Sequence, residues 1–368
     1  MTVVDVHTHF YPDAFMDLLR SRTEVPYVRS FPDNPAAGDR LVILPAEDTA
    51  STSRGRPIGP EYYDIKEKIK FMDQHRIDIS VISLANPWLD FVDPAEASNM
   101  ARLVNDNMNQ LCAESGGRLY AFGTLPLSAP VAEIVQEIKR LATLKYMRGV
   151  IMGTSGCGKG LDDPALDDVY EALQTNGQFI FLHPHYGLPS SLYGPYANDY
   201  GHVLPLALGF PLETTIAITR MILSKVFDRH KTLSVLIAHS GGTLPFLAGR
   251  IASCIAHDAH LKKEGQLVTR KSVFDLLKQN FYLDAVIYDK IGLRAAIDAA
   301  GAARIMFGTD HPFFPPLDDE EGQDEWLSVS LNTSAIKEAV GDDENELAAI
   351  MGETAIEMLR LDQSKAGD

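Results

Sequence analysis

The segment Asp5-Val6-His7-Thr8-His9 carries two imidazoles two residues apart, close to the start of the chain. Alternate side chains of an extended strand point to the same face, so both rings can contact one bound group. Imidazole pairs of this kind suit borderline divalent ions such as Zn²⁺. A His-x-His segment is also found at ordinary strand ends, so the prediction needs partners elsewhere in the chain.

Three further segments place histidine or aspartate directly after an apolar, β-branched run. They are Phe181-Leu182-His183-Pro184-His185, Ile237-Ala238-His239-Ser240-Gly241-Gly242 and Phe307-Gly308-Thr309-Asp310-His311-Pro312. If these runs are parallel strands of one barrel, their C-terminal ends meet at a single mouth. His239 alone could be a core histidine bonded to backbone, but several imidazoles and a carboxylate together predict a divalent-metal site.

The elements needed to position these residues alternate along the whole chain. Predicted strands are Val3–Val6, Ile77–Ser83, Leu119–Leu125, Gly149–Met152, Phe179–Leu182, Leu233–Ala238, Phe281–Leu283 and Arg304–Phe307. Predicted helices between them include Glu61–His75, Ala95–Ser115, Val131–Leu144, Leu212–Phe227 and Tyr288–Ala300. Near-continuous apolar strands separated by helices are typical of a parallel sheet covered on both faces. We predict an α/β fold, a (β/α)8 TIM barrel, with an open doubly wound sheet as the alternative.

Two connections are too long for simple βα turns. Residues 18–60 are rich in Pro, Gly, Asp and Ser, and residues 184–211 run from Pro184-His-Tyr-Gly-Leu-Pro through Tyr193-Gly-Pro to Gly209-Phe-Pro211. Such loops are typically binding loops or lids, so we predict long loops at the barrel mouth. The acidic tract Leu317–Glu325 is interpreted as a solvated loop, and Ser334–Leu361 as extra C-terminal helix packed outside the barrel. We treat 1–368 as a single domain.

Composition excludes some partners. The formal net charge is −17 and 45% of the 368 residues are hydrophobic. Nucleic acid and anionic membranes require an excess of Lys and Arg on one face, so we expect neither partner. Three cysteines without a Cys-x-x-Cys pair indicate a reducing compartment, and no signal-peptide pattern opens the chain, so we expect a cytoplasmic protein.

The glycine-rich stretch Gly153–Gly160 follows a predicted strand and resembles a phosphate-binding loop. It lacks the Ser or Thr that should follow Lys159 to hold Mg²⁺. We therefore interpret it as a flexible loop at the mouth.

These motifs, in this order, resemble the amidohydrolase superfamily, and within it the metal-dependent decarboxylases of aminocarboxymuconate semialdehyde, γ-resorcylate and carboxyvanillate. The resemblance covers nearly the whole predicted barrel. The chain is similar in particular to the fungal isoorotate (uracil-5-carboxylate) decarboxylases. The segments that carry this likeness are Ser83–Trp88, Gly153–Asp163, His183–Pro189, Tyr200–Pro211 and Asp310–Pro316.

The resemblance implies one Zn²⁺ held by His7, His9, His183 and Asp310, with Mn²⁺ or Co²⁺ as alternatives. It also implies that Arg56 clamps the substrate carboxylate, that Asn86 and His239 bind the pyrimidine edges, and that Phe313 packs on the ring. Relatives with two metals carry a lysine at the end of strand four. The run Arg148–Gly153 has none, which favours a single metal.

The implied substrate is a small carboxylated pyrimidine, 5-carboxyuracil, which would be converted to uracil and CO2. Asp310 is our hypothesis for the proton donor to C5, with His239 as its helper. The resemblance further implies a homodimer, with helices near Arg250 and His257 at the interface. Two alternatives stay open: a related decarboxylase acting on a hydroxybenzoate or a muconate semialdehyde, and a mononuclear metallohydrolase. His185, His202 and His311 receive no assigned role.

Overall fold

The chain forms a parallel eight-stranded sheet whose strands are neighbours in the order in which they follow along the chain. This computed structural model describes residues 1–31, 33–34, 38–43, 47–48, 55–86, 88–263, 272–316 and 326–361. The barrel strands are β1 Val4–His9, β5 Ile79–Ser83, β6 Leu119–Thr124, β7 Met147–Gly153, β8 Phe179–His183, β9 Val235–Ile237, β10 Phe281–Asp284 and β11 Ile305–Met306. All eight predicted strands are confirmed, and the open doubly wound alternative is wrong.

The two ends of this sheet meet through hydrogen bonds between β1 and the segment after β11. The Val6 N–H donates to the Phe307 carbonyl at 3.0 Å, and the His9 N–H donates to the His311 carbonyl at 2.7 Å. Thr8 and His311 form an isolated parallel bridge. We call this irregular junction the closing seam, and it turns the sheet into a (β/α)8 barrel.

Helices cover the outside of the barrel. They span Asp13–Ser21, Ile65–His75, Pro94–Glu114, Val131–Leu141, Asp167–Thr175, Phe210–Leu223, Val226–Arg229, Leu244–His257, Ala259–Lys263, Val273–Gln279, Lys290–Ala300, Leu327–Val340, Glu344–Ala348 and Thr354–Met358, with π-helical turns at Pro205–Gly209 and Ala349–Glu353. The predicted C-terminal helix is confirmed in type, but it is broken after Val340, where Gly341 has a φ of 63°. Positive φ at a helix end is a conformation that glycine adopts without steric cost.

Two apolar cores lie on the two sides of the strands. One fills the barrel and includes Val4, Val81 and Phe181, and the other lies between the strands and the helices and includes Ile82 and Leu182. Successive side chains of a strand point to opposite faces, so each strand contributes to both cores. Both faces are buried, which explains the near-continuous apolar runs in the sequence.

The first long connection was wrongly predicted as loop throughout. It contains a separate antiparallel sheet of β2 Tyr27–Arg29, β3 Asp39–Val42 and β4 Arg56–Ile58, in the order β2-β3-β4. These strands have only three or four residues, too few to show a clear alternation of apolar and polar positions. Parts of this connection, and the tract Leu317–Glu325, lie outside the described residues.

The second long connection leads into an apolar helix. By length and composition, the stretch Pro205–Leu223 could cross a membrane, and 39% of it is buried within the structure. Ile218, Met221 and Ile222 of this stretch belong to the core between strands and helices. In this structure the apolar side chains of this stretch therefore pack the helix against the barrel.

Candidate metal centre

A β-bulge in β1 explains why both of its histidines enter the barrel. The register against β5 pairs Asp5 with Ser80 and Thr8 with Ile82, so three steps on β1 match two on β5. The extra residue interrupts the inward–outward alternation of side chains between Val6 and His7. As a result His7 and His9 share the inner face, whereas Asp5 and Thr8 lie on the outer face.

Three histidines are oriented by their Nδ1 atoms. His7 Nδ1 lies 2.5 Å from Asp284 Oδ2, His9 Nδ1 lies 3.2 Å from Ser83 Oγ, and His183 Nδ1 lies 2.9 Å from the Pro184 carbonyl oxygen. Their buried Nε2 atoms have no hydrogen-bond partner. Metal-binding histidines typically bond a protein acceptor through one nitrogen and the ion through the other. This pattern fits three imidazole ligands facing one cation.

Asp310 supplies the carboxylate between these rings. Its Oδ1 lies 3.2 Å from His7 Nε2 and 3.4 Å from His9 Nε2, and its Oδ2 lies 3.7 Å from His239 Nε2. Asp310 and His239 both have positive φ, 59° and 55°, a strained conformation that is frequent at functional sites. One carboxylate oxygen thus faces the predicted ligands, and the other faces His239.

Neighbouring charges set the protonation of this cluster. Burial would raise the pKa of Asp310, but the charge of His7 and close contacts from His239, His7 and His9 hold that pKa well below its usual value. Burial would lower the pKa of His7, yet the carboxylates of Asp310 and Asp284 raise it to about 10. Burial lowers the pKa of His9 to about 4. The site thus gathers negative charge that a proton on His7, or a metal cation in its place, neutralises.

The described residues include one group whose donor atoms could hold a metal ion, and it differs by one member from the predicted set. One ligand atom each of His7, His183, His239 and Asp310 lies within 4.8 Å of the others. His9 falls outside this group, although its Nε2 is 3.4 Å from Asp310. We favour His9 over His239 because His9 and His7 approach the same Asp310 oxygen, whereas His239 approaches the other.

Asp284, at the end of β10, was missed by the sequence analysis. It is fully buried and its Oδ2 accepts the His239 N–H at 3.0 Å, while its Oδ1 accepts N–H groups of Ser240 at 2.8 Å and Val286 at 3.0 Å. The same carboxylate bonds His7, so it positions both His7 and the turn that carries His239. The position of Asp284 at a predicted strand end could have suggested this role, but no motif surrounds it.

The end of β7 is a glycine that lies close to the side chains of Trp88 and His185. Gly153 pairs with His183 in the sheet, and a Cβ at this glycine would lie 2.7 Å from the Trp88 ring and 3.0 Å from His185 Nδ1. A side chain at this position would therefore require Trp88 or His185 to move. The single metal stays a prediction, and the glycine-rich stretch after this strand forms turns.

Phe313 and Asn86 lie next to the cluster. The Phe313 ring centroid is 5.5 Å from that of His9, and the Phe313 N–H donates to the Asp310 carbonyl at 2.9 Å. Asn86 is buried, and its side-chain amide donates to the His185 carbonyl. Phe313 can therefore line the ring-binding space, whereas Asn86 also fixes the backbone two residues beyond His183.

Arg56 contacts a carboxylate in the connection between β3 and β4 and none of the predicted metal ligands. Its Nη2 donates to Glu47 Oε1 at 2.7 Å, with 31% of the arginine side chain exposed. Its charge lowers the pKa of the buried phenols Tyr11 and Tyr62, against the larger raising effect of burial. The Tyr62 ring in turn lies 5.7 Å from Phe313. Arg56 is thus at the rim of the mouth, two aromatic rings away from His9.

The histidines without an assigned role have separate environments. His185 Nε2 lies 2.8 Å from Asp90 Oδ2, and His311 Nδ1 lies 2.8 Å from Lys68 Nζ. His202 is exposed. His185 and His311 are therefore held by protein groups near the site.

Known proteins share this architecture and sequence. The chain matches the amidohydrolase family over residues 4–361. It is 56% identical to the IDCase of Metarhizium anisopliae, whose crystal structure superimposes with a TM-score of 0.93 and covers 98% of this chain and 97% of that one. It is 28% identical over 311 residues to the 2-amino-3-carboxymuconate-6-semialdehyde decarboxylase of Dictyostelium discoideum, covering 84% of this chain and 80% of that protein. It is also 28% identical over 291 residues to the γ-resorcylate decarboxylase of Rhizobium radiobacter, covering 76% and 85% of the two chains.

The barrel, the cluster of imidazoles around one carboxylate and these relatives agree with one another. The chain therefore belongs to the amidohydrolase family, and it is a metal-dependent decarboxylase within that family.

Proposed function

We propose that the protein is a Zn²⁺-dependent, non-oxidative decarboxylase that converts 5-carboxyuracil (isoorotate) to uracil and CO2 in pyrimidine salvage. The name IDCase abbreviates isoorotate decarboxylase, and the 56% identity to that enzyme far exceeds the 28% identity to the muconate and γ-resorcylate enzymes. The observation that carries the proposal is the set of three unpartnered Nε2 atoms around Asp310. Three imidazole nitrogens and one carboxylate oxygen are a ligand set that Zn²⁺ accepts readily, and Mn²⁺ or Co²⁺ can use it too.

The chemistry requires C5 of the pyrimidine to be protonated before the carboxylate leaves. Direct loss of CO2 would leave an electron pair in an sp² orbital outside the ring π system, where no resonance stabilises it. Once C5 carries a proton, the electron pair of the C5–carboxylate bond returns to the ring as CO2 departs. A divalent cation at this site supplies Lewis-acid stabilisation to the substrate oxygens.

Asp310 and His239 are placed to move this proton. The low pKa of Asp310 means that its carboxylate must first receive a proton, and His239 Nε2 lies 3.7 Å from Oδ2. In our proposal, His239 delivers a proton to Oδ2 and Asp310 passes it to C5. His239 then recovers a proton from water, so each turnover consumes one proton and releases one CO2.

One assay tests the substrate assignment. Purified protein loaded with Zn²⁺ is incubated separately with 5-carboxyuracil, 2,6-dihydroxybenzoate and 2-amino-3-carboxymuconate semialdehyde, and uracil and CO2 are quantified. We expect uracil and CO2 in equal amounts from 5-carboxyuracil, and no product after removal of the metal by a chelator. Turnover of 2,6-dihydroxybenzoate or the muconate without turnover of 5-carboxyuracil would reassign the substrate.

Replacing Arg56 by alanine is expected to raise KM for 5-carboxyuracil more than it lowers kcat. Arg56 already shares its charge with Glu47, so a substrate carboxylate at the rim would compete for the same guanidinium. Steady-state kinetics measure the two parameters, and Arg294→Ala, on an exposed outer helix, is the matched control. An unchanged KM would remove Arg56 from the substrate site.

We also propose a homodimer formed through the helix Leu244–His257. Phe246 on this helix is 83% exposed, so its ring is free to pack against a second copy of the chain. Light scattering is expected to give twice the chain mass, and Phe246→Asp is expected to shift the protein towards monomer. Monomeric wild-type protein at micromolar concentration would contradict this interface.

One family match spans residues 4–361, which supports a single catalytic domain. The cysteines Cys112, Cys157 and Cys254 are free thiols, which supports a cytoplasmic location.

A further inference from the structure

Lys68 is a buried lysine that the proposed chemistry does not use. It lies on the inner side of the helix Ile65–His75 and has no exposed surface. Removing an ammonium group from water is costly unless polar groups surround it. Burial lowers the pKa of Lys68, and the nearby Asp5 carboxylate acts in the opposite direction. Because burying a lysine is energetically costly, we expect Lys68 to have a specific role.

The partners of Lys68 lie on both sides of the closing seam. Its Nζ donates to the Thr8 hydroxyl and lies 2.8 Å from His311 Nδ1. Thr8 stands between the predicted ligands His7 and His9, and His311 directly follows Asp310. One ammonium group thus bonds, from the outer face, the two segments whose inner faces carry three of the four predicted ligands.

Strand pairing at this junction is irregular. β11 contains two residues, and the bridge between Thr8 and His311 is isolated. The Thr8 hydroxyl also lies 3.1 Å from the His311 carbonyl oxygen. At the level of the metal ligands, these side-chain bonds add to the backbone bonds that cross the seam, from the Asp310 N–H to the His7 carbonyl at 2.7 Å and from the His9 N–H to the His311 carbonyl at 2.7 Å.

Asp5 forms a second bond across the seam, one step deeper in the barrel. Its Oδ2 accepts the Thr309 hydroxyl at 2.7 Å, and its Oδ1 accepts the Thr309 N–H at 3.1 Å and the His7 N–H at 3.2 Å. Asp5 and Lys68 are both fully buried. Together they fix the distance between β1 and the segment 309–311 from behind the site.

We propose that Lys68 is a positioning residue that fixes Asp310 relative to His7 and His9 by bonding Thr8 and His311 across the closing seam. The inference rests on the proposed metal site, because its consequence is the affinity of that site for a divalent cation. Outer residues that orient metal ligands commonly change metal affinity by roughly 10–100-fold when they are replaced. Lys68 would act indirectly, through the backbone that carries the ligands.

The test compares Lys68→Met with Lys66→Met, an exposed position on the same helix. Methionine keeps the length and apolar stem of lysine but cannot donate to Thr8 or His311. The Zn²⁺ dissociation constant of metal-free protein is measured by competition with a chromogenic chelator, and Tm is measured with and without Zn²⁺. We expect Lys68→Met to bind Zn²⁺ roughly tenfold or more weakly, with a smaller rise in Tm on Zn²⁺ addition, and Lys66→Met to match wild type.

A purely structural role would give a different pattern. It would lower Tm of the metal-free protein but leave both the Zn²⁺ dissociation constant and the Tm rise on Zn²⁺ addition unchanged, and that result would overturn the proposal. If Lys68→Met does not fold, Thr8→Val removes the accepting hydroxyl at nearly constant volume and must weaken Zn²⁺ binding in the same direction. A Thr8→Val protein with wild-type affinity would then overturn it. Wild-type protein that binds no divalent cation would instead refute the proposed function.

Discussion

Asp310→Asn is expected to lose turnover of 5-carboxyuracil by roughly 10²–10⁴-fold, the usual contribution of a positioned acid or base. Asparagine keeps an oxygen that can remain near His7 and His9, but its amide cannot carry a proton from His239 to C5. The fold should survive because the main chain of Asp310 is held independently, by its N–H to the His7 carbonyl at 2.7 Å. Single-turnover kinetics and metal content are the primary measurements.

A second measurement isolates the proton transfer from the loss of CO2. Uracil incubated with the Zn²⁺-loaded enzyme in D2O should exchange its C5 hydrogen, because protonation of C5 and its reversal need no carboxylate. Asp310→Asn should lose this exchange together with decarboxylation. Asp298→Asn is the matched control, since Asp298 is 61% exposed and pairs with Arg294 on an outer helix. Exchange at the wild-type rate in Asp310→Asn, with metal bound, would assign the proton to another group.

The sequence predicted the barrel because its strands are buried on both faces. Runs such as Phe179–His183 and Val235–Ile237 therefore contain few polar residues except at their C-terminal ends. At those ends the fold requires no polar side chain, so a histidine or aspartate there indicates function. His7, His183 and His239 could be found for this reason, and the structure brings them together with Asp310.

The residues that support the ligands could not be predicted in the same way. Lys68 lies in the run Ile65-Lys66-Glu67-Lys68-Ile69-Lys70, which has the pattern of a charged, solvent-exposed helix face. Asp284 bonds a histidine 277 positions away along the chain. Both roles depend on which elements meet across the barrel, and a single sequence carries no local pattern that encodes such a meeting. The small sheet β2-β3-β4 was missed for a local reason, its strands being too short for periodicity.

Asp284 is the supporting residue whose loss should have the largest effect. Its two oxygens accept from His7 Nδ1 and from the N–H groups of His239, Ser240 and Val286. In Asp284→Asn, the amide NH2 must replace one oxygen and so faces two of these donors, whichever way the side chain turns. With the NH2 in place of Oδ2, His7 and the His239 N–H lose their acceptor; with the NH2 in place of Oδ1, the Ser240 and Val286 N–H groups lose theirs.

We therefore expect Asp284→Asn to weaken Zn²⁺ binding by roughly 10–100-fold. Two buried donors without acceptors should also lower the stability of the metal-free protein, by about 1–3 kcal/mol for each donor. Chelator competition gives the first quantity and urea unfolding of the metal-free protein gives the second, again with Asp298→Asn as control. The two effects have separate causes, because the carboxylate both orients a ligand and satisfies the backbone of the neighbouring turn. A variant that loses stability but binds Zn²⁺ as wild type does would show that His7 keeps its orientation without Asp284, and the ligand assignment would then depend on the backbone of β1 alone.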